Sequence, residues 1–162
     1  MSTWLAKPHV HRWWQHQPSP RAVESDFGPG IDGSDPTRHF IVFEGDRPVG
    51  LIQNYRIEDH PSWLTTLHII GDFRQHVGID YLIGETDATG RGFGTEMIRS
   101  FVDGIWREYP GAVGIVAAVQ QGNPASWKAL EKAGFTRIWS GILESDDPSD
   151  TGPSHVYRRN RP

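Results

Sequence analysis

"ATGRGFGTEMI", Ala88 to Ile98, decides how this chain is read. Ahead of it, in "VGIDYLIG", Val77, Ile79, Tyr81 and Ile83 alternate onto one side and leave Asp80 and Leu82 on the other, the period of a β-strand. Behind it, Met97, Ile98, Phe101, Val102, Ile105 and Trp106 recur at the spacing of a helix with one buried face, and "YPG" at Tyr109–Gly111 stops it. A strand, a glycine-rich turn and a helix start make an anion site. The first-turn N–H groups point outward, the helix dipole favours negative charge, and glycine lets the backbone approach without a Cβ. An ordinary glycine-rich turn fits the same residues.

Two other phosphate readings fit less well. A dinucleotide fingerprint needs G-x-G-x-x-G in an early βαβ unit, with an acid about twenty residues on. Gly90, Gly92 and Gly94 give G-x-G-x-G, late in the chain, and "AVGIVAAVQQGN" brings no acid. A P-loop needs G-K-[ST], which does not follow.

Working outward, "AVGIVAAV" (Ala112–Val119) is an unbroken apolar run, as in a central strand covered on both faces. In "GNPASWKALEKAGF", Asn123 suits an N-cap, Pro124 a first helical position and Gly134 a C-terminal stop. "TRIWSGIL" reads as a strand, "ESDDPSDTGPS" as a loop and "HVYRR" as a last strand. Upstream, Phe40–Glu44 and Pro48–Ile57 form a hairpin through "GDRP". "SWLTTLHII" is a strand or a short helix. Residues 4–16 read as one short helix, and Gln17–Arg38 as a long Pro/Gly/Asp loop with a helical turn or two around Pro20–Phe27, a lid or binding loop. The order is that of a single α/β domain over residues 1–162, a mixed twisted sheet flanked by helices.

Composition sets bounds. The 162 residues are 36 % hydrophobic and 22 % charged, the profile of a soluble globular chain. A net charge of −4 disfavours nucleic acid. With no cysteine there is no disulfide, thiolate metal site or thiol nucleophile. No apolar run approaches the ~20 residues that span a bilayer, and the start lacks the order of a signal peptide, so a cytoplasmic location is expected. Eight histidines include His9 and His11 in "HVH", but no H-E-x-x-H occurs, so no metal is expected.

"TGRGFGTEMIRSF" followed by "NPASWKALEKAGF", with one apolar strand between, resembles the acyl-CoA loop and the next helix of the general N-acetyltransferase superfamily. "WLAKPHVHRWW" and "GIDYLIGE" extend the resemblance toward aminoglycoside 6'-N-acetyltransferases. It covers most of the chain but is weak over Gln17–Arg38 and after Glu144. The resemblance implies the N-acetyltransferase fold and direct transfer of acetyl from acetyl-CoA to a primary amine. It puts Gly90, Arg91, Gly92, Phe93, Gly94 and Thr95 on the pyrophosphate, the backbone of Leu82 and Ile83 along the pantetheine arm, and Asn123 against the cofactor. It makes Asp80 the general base beside the amine and Trp14 a wall of the acceptor site.

The chemistry is consistent with that. An alkylamine of pKa ~10.4 arrives as an ammonium, which a carboxylate can attract and deprotonate. The oxyanion needs an N–H, and the Leu82 amide is the choice. An ordinary Asp, pKa ~3.9, is a poor base at neutral pH, so either burial raises it or a water relays the proton. Read structurally, Asp80 is a polar residue on a solvated face, and Trp13 and Trp14 are packing residues. Asp59, Asp72, Glu85 and Asp87 either add negative charge near the amine or are solvated loop acids.

The family pattern is departed from in three places. Leu130 stands where a tyrosine, a candidate acid for the thiolate, is usual. Ala118 stands near the place of an expected substrate-binding Asp. Thr89 opens the glycine loop in place of Gln or Arg. Trp4 and Leu5 also come early, so either the natural chain starts upstream of Met1 or the sheet lacks its usual first strand. The expectation is an acetyl-CoA-dependent N-acetyltransferase, monomer or homodimer, acting on an aminoglycoside or related cationic amine. The alternatives are a siderophore-type lysine amine or protein N-terminus as acceptor, a non-catalytic acyl-CoA-binding module, and a nucleotide-binding oxidoreductase.

Overall fold

The computed structural model describes residues 1–145, 147 and 149–162. Its centre is a six-stranded sheet in the order β1-β2-β3-β4-β6-β5. In chain order the strands are β1 (Arg38–Glu44), β2 (Arg47–Arg56), β3 (His76–Ile83), β4 (Gly114–Gln120), β5 (Thr136–Ile142) and β6 (Pro153–Asn160). Neighbouring pairs are antiparallel except β3 and β4, which run parallel. The crossover between them is the glycine turn and its helix. This is the mixed α/β sheet expected from the sequence. Among the described residues no strand precedes Arg38, and β1 is an edge that leaves Ile41 and Phe43 exposed.

One face of the sheet is covered by α5 (Phe93–Glu108) and α6 (Pro124–Lys132). Met97, Ile98, Val102 and Ile105 of α5 and Leu130 of α6 pack on Val77, Ile79, Ile115, Ala117 and Val119. The alternate residues of the same strands serve the other face. Leu51 and Leu82 meet Trp4, Leu5, Val10 and Phe27. Val116 and Val156 meet Leu67, Phe73 and Leu143. Covering β4 on both faces is what its unbroken apolar run required. No helix among the described residues is long and apolar enough to cross a membrane.

Two expectations are corrected. The helix expected over residues 4–16 is two short ones, α1 (Ser2–Leu5) and α2 (Pro8–His11). Proline bars the residue before it from helical geometry, and Lys7 is extended, at φ −75 and ψ 133. Within Gln17–Arg38, the expected turn or two is a thirteen-residue helix, α3 (Pro20–Asp32), capped by the Ser19 hydroxyl and ended by Gly33 at φ 83. Pro29, Gly28 and Gly30 gave that segment weak propensity, and burial of Phe27 outweighs it. The ambiguous "SWLTTLHII" is helical, as α4 (Pro61–Leu67). Of the loop expected at Glu144–Ser154, Asp146 and Pro148 lie outside the described residues, and β6 begins at Pro153.

Candidate active site

The parallel pair β3 and β4 is joined only at its start, His76–Gly78 against Gly114–Val116. Both strands continue, to Ile83 and Gln120, so beyond that point they part. A cavity of about 980 Å³ occupies the gap and the space in front of it. Asp80 lines it from one face of β3, and Ile79 and Tyr81 from the other. Adjacent strand residues project oppositely, so only an opened sheet lets both line one cavity.

Asp80 is half-buried and stands opposite Gln53 in the β2–β3 register, whose Nε2 donates to Asp80 Oδ2 at 3.0 Å. Burial pushes its carboxyl up to about 7. The Gln53 hydrogen bond opposes this and the charges of Asp150 and Asp147 add to it. Tyr55, two residues along β2, lays its ring over Gly78, where a Cβ would come within 2.3 Å of it. Burial raises the Tyr55 hydroxyl well above its ordinary value, and the Asp80 charge raises it further, so Tyr55 stays protonated.

The walls are acidic. Asp26, Asp35, Glu144, Asp147 and Asp150 join Asp80 on the lining, and no lysine or arginine does among the described residues. Burial raises the Asp150 carboxyl, and Asp147 adds to it while Ser145 opposes. His16 ties three segments together, with Nδ1 2.9 Å from Asp26 Oδ2 of α3 and Nε2 3.8 Å from Asp147 Oδ2. Gln15 reaches Ser149 and Thr151, and Gln120 donates to the Ser149 carbonyl, pinning that segment beside the cavity. Trp14 lines the cavity and stacks on Phe27, centroids 6.3 Å apart and planes at 12°.

Behind the gap lies the glycine turn. Gly90 and Gly92 hold φ 72 and 83, with nothing within 4 Å of a Cβ added to either. Glycine is needed there for the left-handed backbone rather than for space. Gly92 is the N-cap of α5, and the amides of Thr95 and Glu96 both return to its carbonyl. The earlier amides, Phe93 and Gly94, belong to the first turn, which has no partner of its own. A second cavity of about 450 Å³ opens here, lined by Gly92, Phe93 and Thr95 with Arg91, Arg99 and Lys132 and with Glu44 and Glu96. Arg91 is paired to Glu44 at 3.2 Å and Arg99 to Glu96 at 2.9 Å. An anion would therefore meet free amides, a helix N-terminus and three cationic side chains, a donor set that fits a pyrophosphate.

The other expected residues fall as follows. Leu82 buries its side chain among Trp4, Leu5 and Phe27. Its carbonyl lies so close to Gly50 that a Cβ there would be 2.5 Å away. The Ile83 carbonyl is bonded to His9 Nε2 at 3.1 Å. Asn123 spends its side-chain oxygen capping α6, accepting from the Ser126 amide at 3.3 Å, and it lines the main cavity. Ala118 also lines the cavity, whereas Leu130 is wholly buried away from it. Asp59, Asp72, Glu85 and Asp87 do not line it. They pair with Arg56, Arg74, Lys7 and Arg47. The acids that do line it, other than Asp80, come from α3, the turn after it and the segment before β6. Only the "ESDDPSD" run hinted at them in sequence. Gln53 and Tyr55 gave no motif, only period-two placement on β2.

Residues 1–140 match the family model of the acetyltransferase (GNAT) domain. The chain belongs to the GNAT acetyltransferase family. It is 25 % identical, over 138 residues, to the aminoglycoside N(6')-acetyltransferase type 1 of Klebsiella pneumoniae and to that of Serratia marcescens. The match takes in 83 % of this chain and 66 % of each relative, so the chain spans just under two thirds of their length. Among solved structures, AAC(6')-Ib in complex with ribostamycin and coenzyme A shares the fold at TM-score 0.83 and 22 % identity, over 99 % of this chain and 86 % of that one. The ribosomal-protein-S5-alanine acetyltransferase of Vibrio fischeri shares it at TM-score 0.70 and 12 % identity, over 98 % and 85 %.

Proposed function

We propose that this protein transfers acetyl from acetyl-CoA to a primary amine of an aminoglycoside or a related polycationic small molecule, by direct attack within a ternary complex. The observation that carries the reading is the acidic cavity. Six carboxylates face one space, without a lysine or arginine among the described lining residues, and the half-buried Asp80 stands where the sheet opens. Such a lining attracts a molecule bearing several ammonium groups. The aminoglycoside N(6')-acetyltransferases at 25 % identity support the same acceptor.

In this reading Gly90, Arg91, Gly92, Phe93, Gly94 and Thr95 hold the pyrophosphate at the head of α5. The stretch of β3 at Leu82 and Ile83, paired with β2 on one side but parted from β4 on the other, receives the pantetheine arm, and Asn123 touches it from α6. Trp14 offers its ring face to an ammonium. Asp80 takes the proton that frees the attacking lone pair. The Leu82 amide, expected at the oxyanion, turns toward β2 with its carbonyl and does not face the gap. The raised carboxyl decides whether this is practicable. From an ammonium of pKa ~10.4 to an ordinary Asp near ~3.9, proton transfer is uphill by about 9 kcal/mol. With Asp80 at about 7, the gap shrinks to about 5 kcal/mol, well within an enzymic barrier.

The test is free-thiol release from acetyl-CoA by the purified protein with kanamycin, ribostamycin, free lysine and an alanine-terminated peptide. Release confined to the aminoglycosides supports the proposal. Release with lysine or the peptide alone moves the acceptor to the siderophore-type or protein class, and CoA binding without any turnover favours a binding module.

A further inference from the structure

The residue beside Asp80 has no role in the chemistry described so far. We propose that Tyr81 is the proton donor to the departing CoA thiolate. The inference rests on the acetyl-CoA reading of the gap, not on which amine is acetylated.

Consecutive residues of β3 project to opposite faces. Asp80 looks toward Gln53 and Tyr55, into the acidic space where an ammonium would sit. Tyr81 looks the other way, toward α5 and α6, and its hydroxyl reaches the first turn of α6, 2.8 Å from Ser126 Oγ and 3.3 Å from the Ser126 carbonyl. Both line the same cavity because β3 and β4 have parted. A thioester held in the gap thus has a carboxylate on the side of attack and a phenol on the side where the CoA arm, and with it the sulfur, must leave.

Apart from Ser126, whose hydroxyl is bonded to that of Tyr81, the titratable lining residues lie elsewhere. Tyr55 shares its strand face with Gln53 and stands beside Asp80. His16, His39 and His60 sit by α3, β1 and α4. Position 130 of α6 carries a wholly buried leucine with no proton to give. Helical side chains lean toward the N-terminus, so residue 130 covers the turn of Ser126. Tyr81 brings a hydroxyl to that same turn from the strand instead. Burial raises Tyr81 above its ordinary value, which keeps the proton on the oxygen until a thiolate calls for it.

The step balances. The amine lone pair bonds to the thioester carbon and the carbonyl π pair moves to oxygen. On collapse the C–S pair leaves on sulfur, which takes the Tyr81 proton. The phenolate recovers a proton from solvent through Ser126 Oγ, and the proton lost by the amine departs by way of Asp80.

Tyr81→Phe, which removes one oxygen, tests this in two ways. The first needs no acceptor. Coenzyme A bound to the protein is titrated by the ultraviolet absorbance of its thiolate. A donor aimed at sulfur makes the bound thiol more acidic in the native protein than in Tyr81→Phe by about one unit, as befits a hydrogen bond to a charged group, with the calorimetric Kd for CoA unchanged. The second is kcat with kanamycin, expected to fall on the order of a hundredfold while KM for acetyl-CoA holds. Identical thiol titrations in the two proteins overturn the proposal, as does a loss of CoA affinity that accounts for the fall in rate. A native protein that fails to bind CoA sinks the cofactor reading with it. A shifted titration with no aminoglycoside turned over upholds Tyr81 and removes only the acceptor.

Discussion

Gln53 and Asp80 face each other across β2 and β3, and the Gln53 amide donates to the Asp80 carboxylate at 3.0 Å. That bond holds the carboxylate's direction and favours its charged form, against the burial that disfavours it. In native protein kcat/KM falls as pH drops through about 7, as Asp80 protonates. Gln53→Leu removes a donor to the charged form, so the protonated form persists to higher pH. The acid limb of the pH–rate profile moves upward. A limb left in place would mean that Gln53 does not tune Asp80.

The same carboxyl makes stability depend on pH. Its folded pKa, about 7, lies above the ordinary 3.8. Between those values the folded state holds a proton that the unfolded state has released, so stability falls as pH rises from about 4 to about 7. Asp80→Asn abolishes the penalty. Thermal melts should show the Asp80→Asn variant close to native at pH ~4 and more stable than native at pH ~8, while its turnover collapses.

At the head of α5 two glycines give opposite expectations. Gly92→Ala forces φ 83 on a residue with a Cβ, in open space, at about 1–2 kcal/mol. It lowers Tm by a few degrees and weakens acetyl-CoA binding. Gly104, inside the same helix, carries no positive φ and has nothing within 4 Å of an added Cβ. Gly104→Ala should raise Tm, by up to about 1 kcal/mol of added stability, and leave acetyl-CoA affinity alone. Calorimetry and melting of the two variants read both quantities.

In the proposed reading, Asp147 and Asp150 contribute to the affinity for a polycation. The double change to Asn raises KM for kanamycin about tenfold or more, leaves kcat within a few-fold, and flattens the dependence of KM on salt. A KM unmoved by both changes would show that the amine binds elsewhere.

The parts of the fold legible in sequence were those with strict periods or punctuation. β3 alternates, α5 repeats at helical spacing, and Asn123, Pro124 and Gly134 bracket α6. The glycine turn could be placed because a strand and a helix flank it. Less was legible where tertiary contacts overrule local preference. α3 forms around a buried Phe27 in spite of Pro29 and its glycines, and Pro8 cuts the first helix in two. The cavity was least legible. Asp26 and Asp35 are far from Glu144 and Asp150 in the chain, and both groups are far from Asp80; they meet only because the fold brings α3 and the segment before β6 over the same gap. The acids near β3 in sequence, Glu85 and Asp87, instead pair with Lys7 and Arg47.

The central claim is that Asp80 serves the acetylation of a polycationic amine bound in the acidic cavity. Its most direct test is the initial rate of thiol release from acetyl-CoA with kanamycin, for native protein and for Asp80→Asn, with mass spectrometry of the antibiotic. The expected result is a singly acetylated product from the native protein and a rate on the order of a hundredfold or more lower for the variant, with acetyl-CoA affinity retained. Native-like turnover by Asp80→Asn, or no acetylated product from any aminoglycoside, would contradict it.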